Sequence, residues 1–142
     1  MARRLIGTRT ATHGEVIPMD WTLEVAFLPV TDVDRAKEFY TRVGFHPDHD
    51  ASPGDGVRFV QMTPPGSGCS IAFGTGIVDG PPSNVGALML CVSDIRAARQ
   101  HLVDAGVDVS EVDVQQWGHF VYFDDPDGNH WNVQYLPYRF EN

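Results

Sequence analysis

The sequence predicts an α+β domain made of two βαβββ modules, eight strands and two helices in all. Three observations carry that prediction. First, the stretch 30–45, VTDVDRAKEFYTRVGF, recurs as 92–107, VSDIRAARQHLVDAGV, at a constant offset of 62 residues. Second, each copy has both ends of a helix. Thr31-Asp32 and Ser93-Asp94 place side-chain oxygens where the first helical turn has unpaired N–H groups. Gly44 and Gly106 stand where a left-handed residue ends the helix. Between them apolar residues recur at helical spacing: Val33, Ala36, Phe39, Tyr40 and Val43, then Ile95, Ala98, Leu102 and Ala105. Third, short apolar runs of strand length flank both helices, separated by Gly- and Pro-rich turns.

The elements follow in order. WTLEVAFLPV, 21–30, reads as the first strand, and the first helix follows it. FHPDHD, 45–50, reads as a short edge strand, because Pro47 cannot donate to a central ladder. SPGDG, 52–56, is a turn, VRFVQMT, 57–63, a strand, PPGSG, 64–68, a rigid turn, and 69–73 a strand. DGPPSN, 79–84, links the modules. The second module repeats the order: strand 87–92, helix 94–105, strands 107–114 and 118–123, hairpin turn DDPDGN at 124–129, and strand 130–136. The turn contains Pro126, which presets its φ. Module one therefore covers about 21–78 and module two about 85–136 of a single domain, 19–142. Residues 1–18, polar and basic, read as a flexible extension.

Bulk properties narrow the function classes. A chain of 142 residues is one domain of ordinary size. A net charge of −9 argues against nucleic acid and anionic membranes as partners, since both call for a basic face. No apolar run approaches the ~18 residues of a membrane span, and the N-terminus has no continuous apolar segment of the secretory type. Two cysteines, Cys69 and Cys91, make no disulfide framework, so the expectation is a cytoplasmic protein with reduced thiols.

The doubled βαβββ order, the string PVTDVDRAKEFYTRVGF and the hairpin FDDPDGNHWNVQ together resemble the vicinal oxygen chelate superfamily of glyoxalases, extradiol dioxygenases and bleomycin-resistance proteins. The resemblance spans about 21–135. It implies a cup-shaped eight-stranded sheet whose two halves enclose a ligand cavity. It also implies homodimers, since relatives with two modules per chain commonly pair. In metal-using members of the superfamily, His or Gln early and Glu late in each module hold a divalent metal. The positions matching that set are Val25, Ala87 and Asn132, with a fourth on 69–73, where only the Cys69 thiol can bind metal. Val and Ala offer no donor atom, and an Asn amide is a poor ligand. The expectation is loss of the metal site, with a divalent metal as the alternative. A one-residue slip would bring in Glu24, but a slip turns a whole strand over. His46 and His49 are a possible metal pair elsewhere, set against solvated residues on an edge strand.

If Val25, Ala87 and Asn132 mark cavity-facing positions, strand alternation adds Leu23 and Phe27, Met89 and Cys91, and His130 and Gln134. Similarity to fosfomycin-resistance enzymes points Tyr122 inward, and Phe120 joins it. Arg58 and Gln61 lie on opposite faces of one strand, so at most one faces the cavity; Trp117 and His119 flank a hairpin at its rim. The predicted ligand residues are thus Phe27, Met89, Cys91, Phe120, Tyr122, His130, Asn132 and Gln134, an apolar, aromatic wall with a few polar groups. Two function classes fit. One is a metal-free binder of an aromatic or polycyclic metabolite or antibiotic. The other is an enzyme acting on a small organic metabolite, either with Tyr122 or His130 as metal-free acid–base group or with a divalent metal.

Overall fold

The computed structural model describes residues 22–78, 80–81 and 88–137. The elements are β1 (Val25–Phe27), α1 (Val33–Val43), β2 (His46–Gly54), β3 (Val57–Thr63), β4 (Ser70–Thr75), β5 (Leu88–Cys91), α2 (Ile95–Asp104), β6 (Asp113–Gln115), β7 (Gly118–Asp124) and β8 (His130–Tyr135). The expected extension 1–18, most of the linker 79–84, and Ala87 fall outside the described residues.

Both helices start where the repeat predicts. Asp32 Oδ1 accepts from the Arg35 amide at 3.0 Å, and Asp94 Oδ1 from the Ala97 amide at 3.1 Å. Gly44, at φ 113°, closes α1. In α2 the capping residue is Ala105, still right-handed, and Gly106 makes the left-handed turn one residue later.

The eight strands form two four-stranded mixed sheets, ordered β1-β4-β3-β2 and β5-β8-β7-β6. In each, the first and last strands of the module run parallel and the other pairs antiparallel. The eight strands of the expected cup thus fall into one four-stranded sheet per module, and no ladder joins the two sheets among the described residues. The edge strand β2 is longer than its polar sequence implies, running through the expected turn to Gly54; its ladder uses backbone groups and includes register shifts around Pro47 and Pro53. The first strand is shorter than expected. The strand expected over 107–114 shrinks to β6. Upstream, the Val107 amide bonds back to Leu102, and Ser110 pairs irregularly with Tyr122, so no regular ladder forms there.

The helix-facing sides of both sheets share one core. Val60, Met62, Ile71 and Phe73 from one sheet and Val121, Phe123, Trp131 and Val133 from the other pack with Phe39, Tyr40 and Leu102. Tyr40 touches Phe73 in its own module and Trp131 in the other, at ring-centroid distances of 5.8 and 5.9 Å. The DPDGN turn clamps the modules together. Buried Asp125 accepts from the Tyr40 hydroxyl at 2.6 Å and from the Asn129 amide nitrogen at 2.8 Å. Asp127 Oδ1 accepts from the Thr31 backbone, the Thr31 hydroxyl and Arg35, at 2.9, 2.6 and 3.0 Å, beside the N-terminus of α1. Asn129 Nδ2 also donates to Pro29 O at 3.0 Å. A turn read as a simple hairpin connection thus joins the two halves.

Candidate functional site

Strand alternation puts the reverse side of each sheet away from the shared core. On the second sheet that side is ordered in rows by the ladders. Met89 pairs with Asn132, and Asn132 with Tyr122; Cys91 pairs with Gln134, Gln134 with Phe120, and Phe120 with Asp113. Asp124 pairs with His130 at the end of the face. Seven of the eight expected ligand residues therefore share one surface. Phe27 is the exception. It lies on the first sheet, in a matching row with Ala72 and Gln61. The expectation that both halves enclose one cavity is corrected here: the helix-facing sides meet in the core, so the two candidate faces do not close on each other within one chain.

The face is apolar and partly open. Phe27 and Met89 are about half exposed, at 48% and 53%, whereas Phe120 is buried. Its polar groups are tied down. The Tyr122 hydroxyl donates to Asp113 Oδ2 at 2.7 Å, and burial, with Asp113 beside it, pushes this phenol above its ordinary value. His130 Nδ1 lies 2.6 Å from Asp124 Oδ1, and its ring runs parallel to Tyr122, with centroids 6.3 Å apart. Ser110 holds this corner together: its hydroxyl accepts from the Tyr122 amide at 2.9 Å, and its carbonyl accepts from Arg99 of α2 at 2.8 Å. Asn132 differs. Its Oδ1 is buried and has no hydrogen-bond partner among the described residues, a state that costs free energy unless a ligand or water completes it.

A cavity of about 390 Å³ opens beside Tyr122, Asp124 and His130. A larger one, about 470 Å³, lies at the module junction between Phe45, Leu102 and the 64–67 turn, and reaches the candidate face only through Met89 and Cys91. The first lies beside the polar groups that can orient a ligand, so it is taken as part of the candidate site.

Sequence reasoning missed Asp113 and Asp124. Each sits at a strand end, where composition reads as turn, and only the ladder shows that both share the face of Tyr122. Arg58 faces the helix side, bound to Asp34 and Asp50, which leaves Gln61 on the candidate face. His119 points to the side opposite Tyr122, against the Tyr135 ring, and so is not a rim residue; Trp117 is exposed in the β6–β7 turn. His46 pairs with Asp48 on the exposed edge strand. The residues at the superfamily's metal positions do not fit a divalent ion. Val25 and Ala87 are hydrocarbons, and Ser70, the ladder partner of Val25, spends its hydroxyl on Thr63 at 2.6 Å. The Cys69 thiol, raised above its ordinary value by burial, donates to Ser70 O at 3.5 Å. Among the described residues no group of three or more His, Cys, Asp or Glu could hold a metal ion.

Paired βαβββ modules with a polar-studded apolar face define a class of small α+β proteins, and the comparisons with known proteins agree. The family model described as Glyoxalase/Bleomycin resistance protein/Dioxygenase superfamily matches residues 20–133, so the chain belongs to that superfamily. Among solved structures, it is similar to TnmS3, an antibiotic binding protein from Streptomyces sp. CB03234, at 30% identity and TM-score 0.72, covering 84% of this chain and 99% of that one. A glyoxalase/bleomycin resistance protein from the same strain is 32% identical, with TM-score 0.67 and coverage of 79% and 98%. A superfamily member from Sphaerobacter thermophilus DSM 20745 is 26% identical, with TM-score 0.71 and coverage of 81% and 97%. No curated protein matches. No helix among the described residues is long and apolar enough to cross a membrane.

Proposed function

We propose that this protein binds an aromatic or polycyclic metabolite or antibiotic without a metal, on the face formed by Met89, Cys91, Phe120, Tyr122, Asn132 and Gln134. The observation that carries the reading is Asn132. It stands where metal-using relatives have glutamate, and its Oδ1 is buried without a partner among the described residues, between Met89 and Tyr122. An amide there offers both a donor and an acceptor to a ligand hydroxyl or carbonyl inside an apolar wall. The similarity to an antibiotic binding protein supports the same reading.

The second half of the proposal is a homodimer. One chain leaves both candidate faces open, with Leu23, Phe27 and Met89 exposed, and leaves β1 and β5 as sheet edges. A second copy laying its first sheet over this second sheet buries those groups and closes the cavity, in the commonest closed symmetry.

One arrangement favours an enzyme instead. Asp124 holds His130 Nδ1, which leaves Nε2 available as a general base. The experiment is recovery of small molecules from the purified protein by denaturation and mass spectrometry, with elemental analysis alongside. The proposal expects an organic ligand recovered unchanged after incubation and no stoichiometric divalent metal. A converted ligand supports the enzyme reading, and near one equivalent of Zn, Ni, Mn or Fe, lost on mutating Asn132, contradicts the metal-free one.

A further inference from the structure

We infer that the ligand of the candidate site carries a protonated amine, and that Asp113 and Asp124 select for it. The inference rests on the binding face proposed above. Two carboxylates stand on that face within hydrogen-bond reach of its ligand-contacting rings. Asp113 accepts from the Tyr122 hydroxyl at 2.7 Å, and Asp124 lies 2.6 Å from His130 Nδ1. Asp124 and Asp108 line the cavity of about 390 Å³.

No lysine or arginine among the described residues answers them there. The described basic side chains all belong to elements on the core side. Arg35, Lys37 and Arg42 are on α1, and Arg96 and Arg99 on α2. Arg58 turns to Asp34 and Asp50 on the helix side of β3. Arg99 spends its guanidinium on Ser110 O and Glu111. Among the described residues, the basic side chain on that face is the His130 imidazole. The partners already made are also incomplete. Each carboxylate oxygen has more than one lone pair, so Tyr122 and Gln115 leave Asp113 able to accept again, and Asp124 keeps a second oxygen. Val109 and Phe123 supply apolar wall to the cavity, where the field of these charges is less screened than in open water. An anionic ligand is repelled by the two aspartates, and a neutral one gains no charge-assisted bond from them. An aromatic cation gains a charge-assisted hydrogen bond and stacks on Tyr122.

Three fluorescent probes of similar aromatic bulk test this on the full chain. Proflavine is cationic, N-phenyl-1-naphthylamine is neutral, and 1-anilinonaphthalene-8-sulfonate is its anionic counterpart. The expected result is proflavine bound about tenfold or more tighter than the sulfonate at low salt, with the gap closing as salt rises. Asp113→Asn and Asp124→Asn, near-isosteric and close to the surface, should each shrink the gap between cation and anion. Equal affinity of cation and anion, or a preference that survives both substitutions, overturns the inference and leaves the binding face standing. Failure of all three probes to bind overturns that face and the inference with it.

Discussion

Asn132 and Tyr40 show how differently two buried polar groups are used. Asn132 Oδ1 has no partner among the described residues, on a face otherwise lined by Met89 and Tyr122. If a ligand completes it, Asn132→Leu should weaken binding of the ligand recovered with the protein about tenfold or more, since an unpaired buried group costs ~1–3 kcal/mol. Calorimetric titration checks this, and equal affinities would remove Asn132 from the site. Tyr40 is fully satisfied. Its hydroxyl donates to Asp125 and accepts from Trp131 Nε1 at 3.1 Å. Tyr40→Phe should destabilise the fold by about 1–3 kcal/mol, because it strips a donor from a buried carboxylate. Burial first, and Asp125 second, push the Tyr40 phenol well above its ordinary value. The folded chain therefore holds that proton after the unfolded chain has released it. Stability from this group is intact below the ordinary tyrosine value of about 10 and falls as pH rises through the raised one. Denaturation midpoints between pH 8 and 11, about the range in question, should fall for the wild type and flatten for Tyr40→Phe.

At the scale of elements, the parts most legible in the sequence were those where several local signals agreed. The bounds of α1 follow from Asp32, the apolar spacing and Gly44 together, and β3 and β7 from alternation between clear turns. Asp32→Ala and Asp94→Ala should each lower stability by roughly 0.5–2 kcal/mol, read from urea midpoints, with no change in ligand affinity. The length of β2 was not legible, because HPDHDASPG has no apolar alternation and its ladder is made by the backbone alone. What steadies that edge is charge. Arg58, then Lys37, hold the Asp50 carboxyl well below the usual aspartate range. This contribution is present above the ordinary aspartate value and lost as pH falls toward the lowered one. Asp50→Asn should therefore flatten the acid side of the stability profile below about pH 4, as followed by circular dichroism. The stretch 107–112 misled in the opposite way. Its β-branched residues read as strand, yet Val107 closes α2 and Ser110 serves Tyr122.

At the scale of the molecule, the repeat made two modules legible but not how they face each other. Strand alternation sorted Phe120, Tyr122, Asn132 and Gln134 onto one side correctly. It could not show that the other sides of both sheets meet around Tyr40 and Trp131, because that packing depends on residues about 90 positions apart. Under the proposed reading, a second chain closes the cavity. The most direct test of metal-free binding between two chains is a native mass spectrum of the purified protein with added N-phenyl-1-naphthylamine. The account predicts a dimer that carries probe or organic ligand and no stoichiometric divalent metal. A monomer that takes up the probe, or a dimer holding near one Zn, Ni, Mn or Fe per chain, would contradict it.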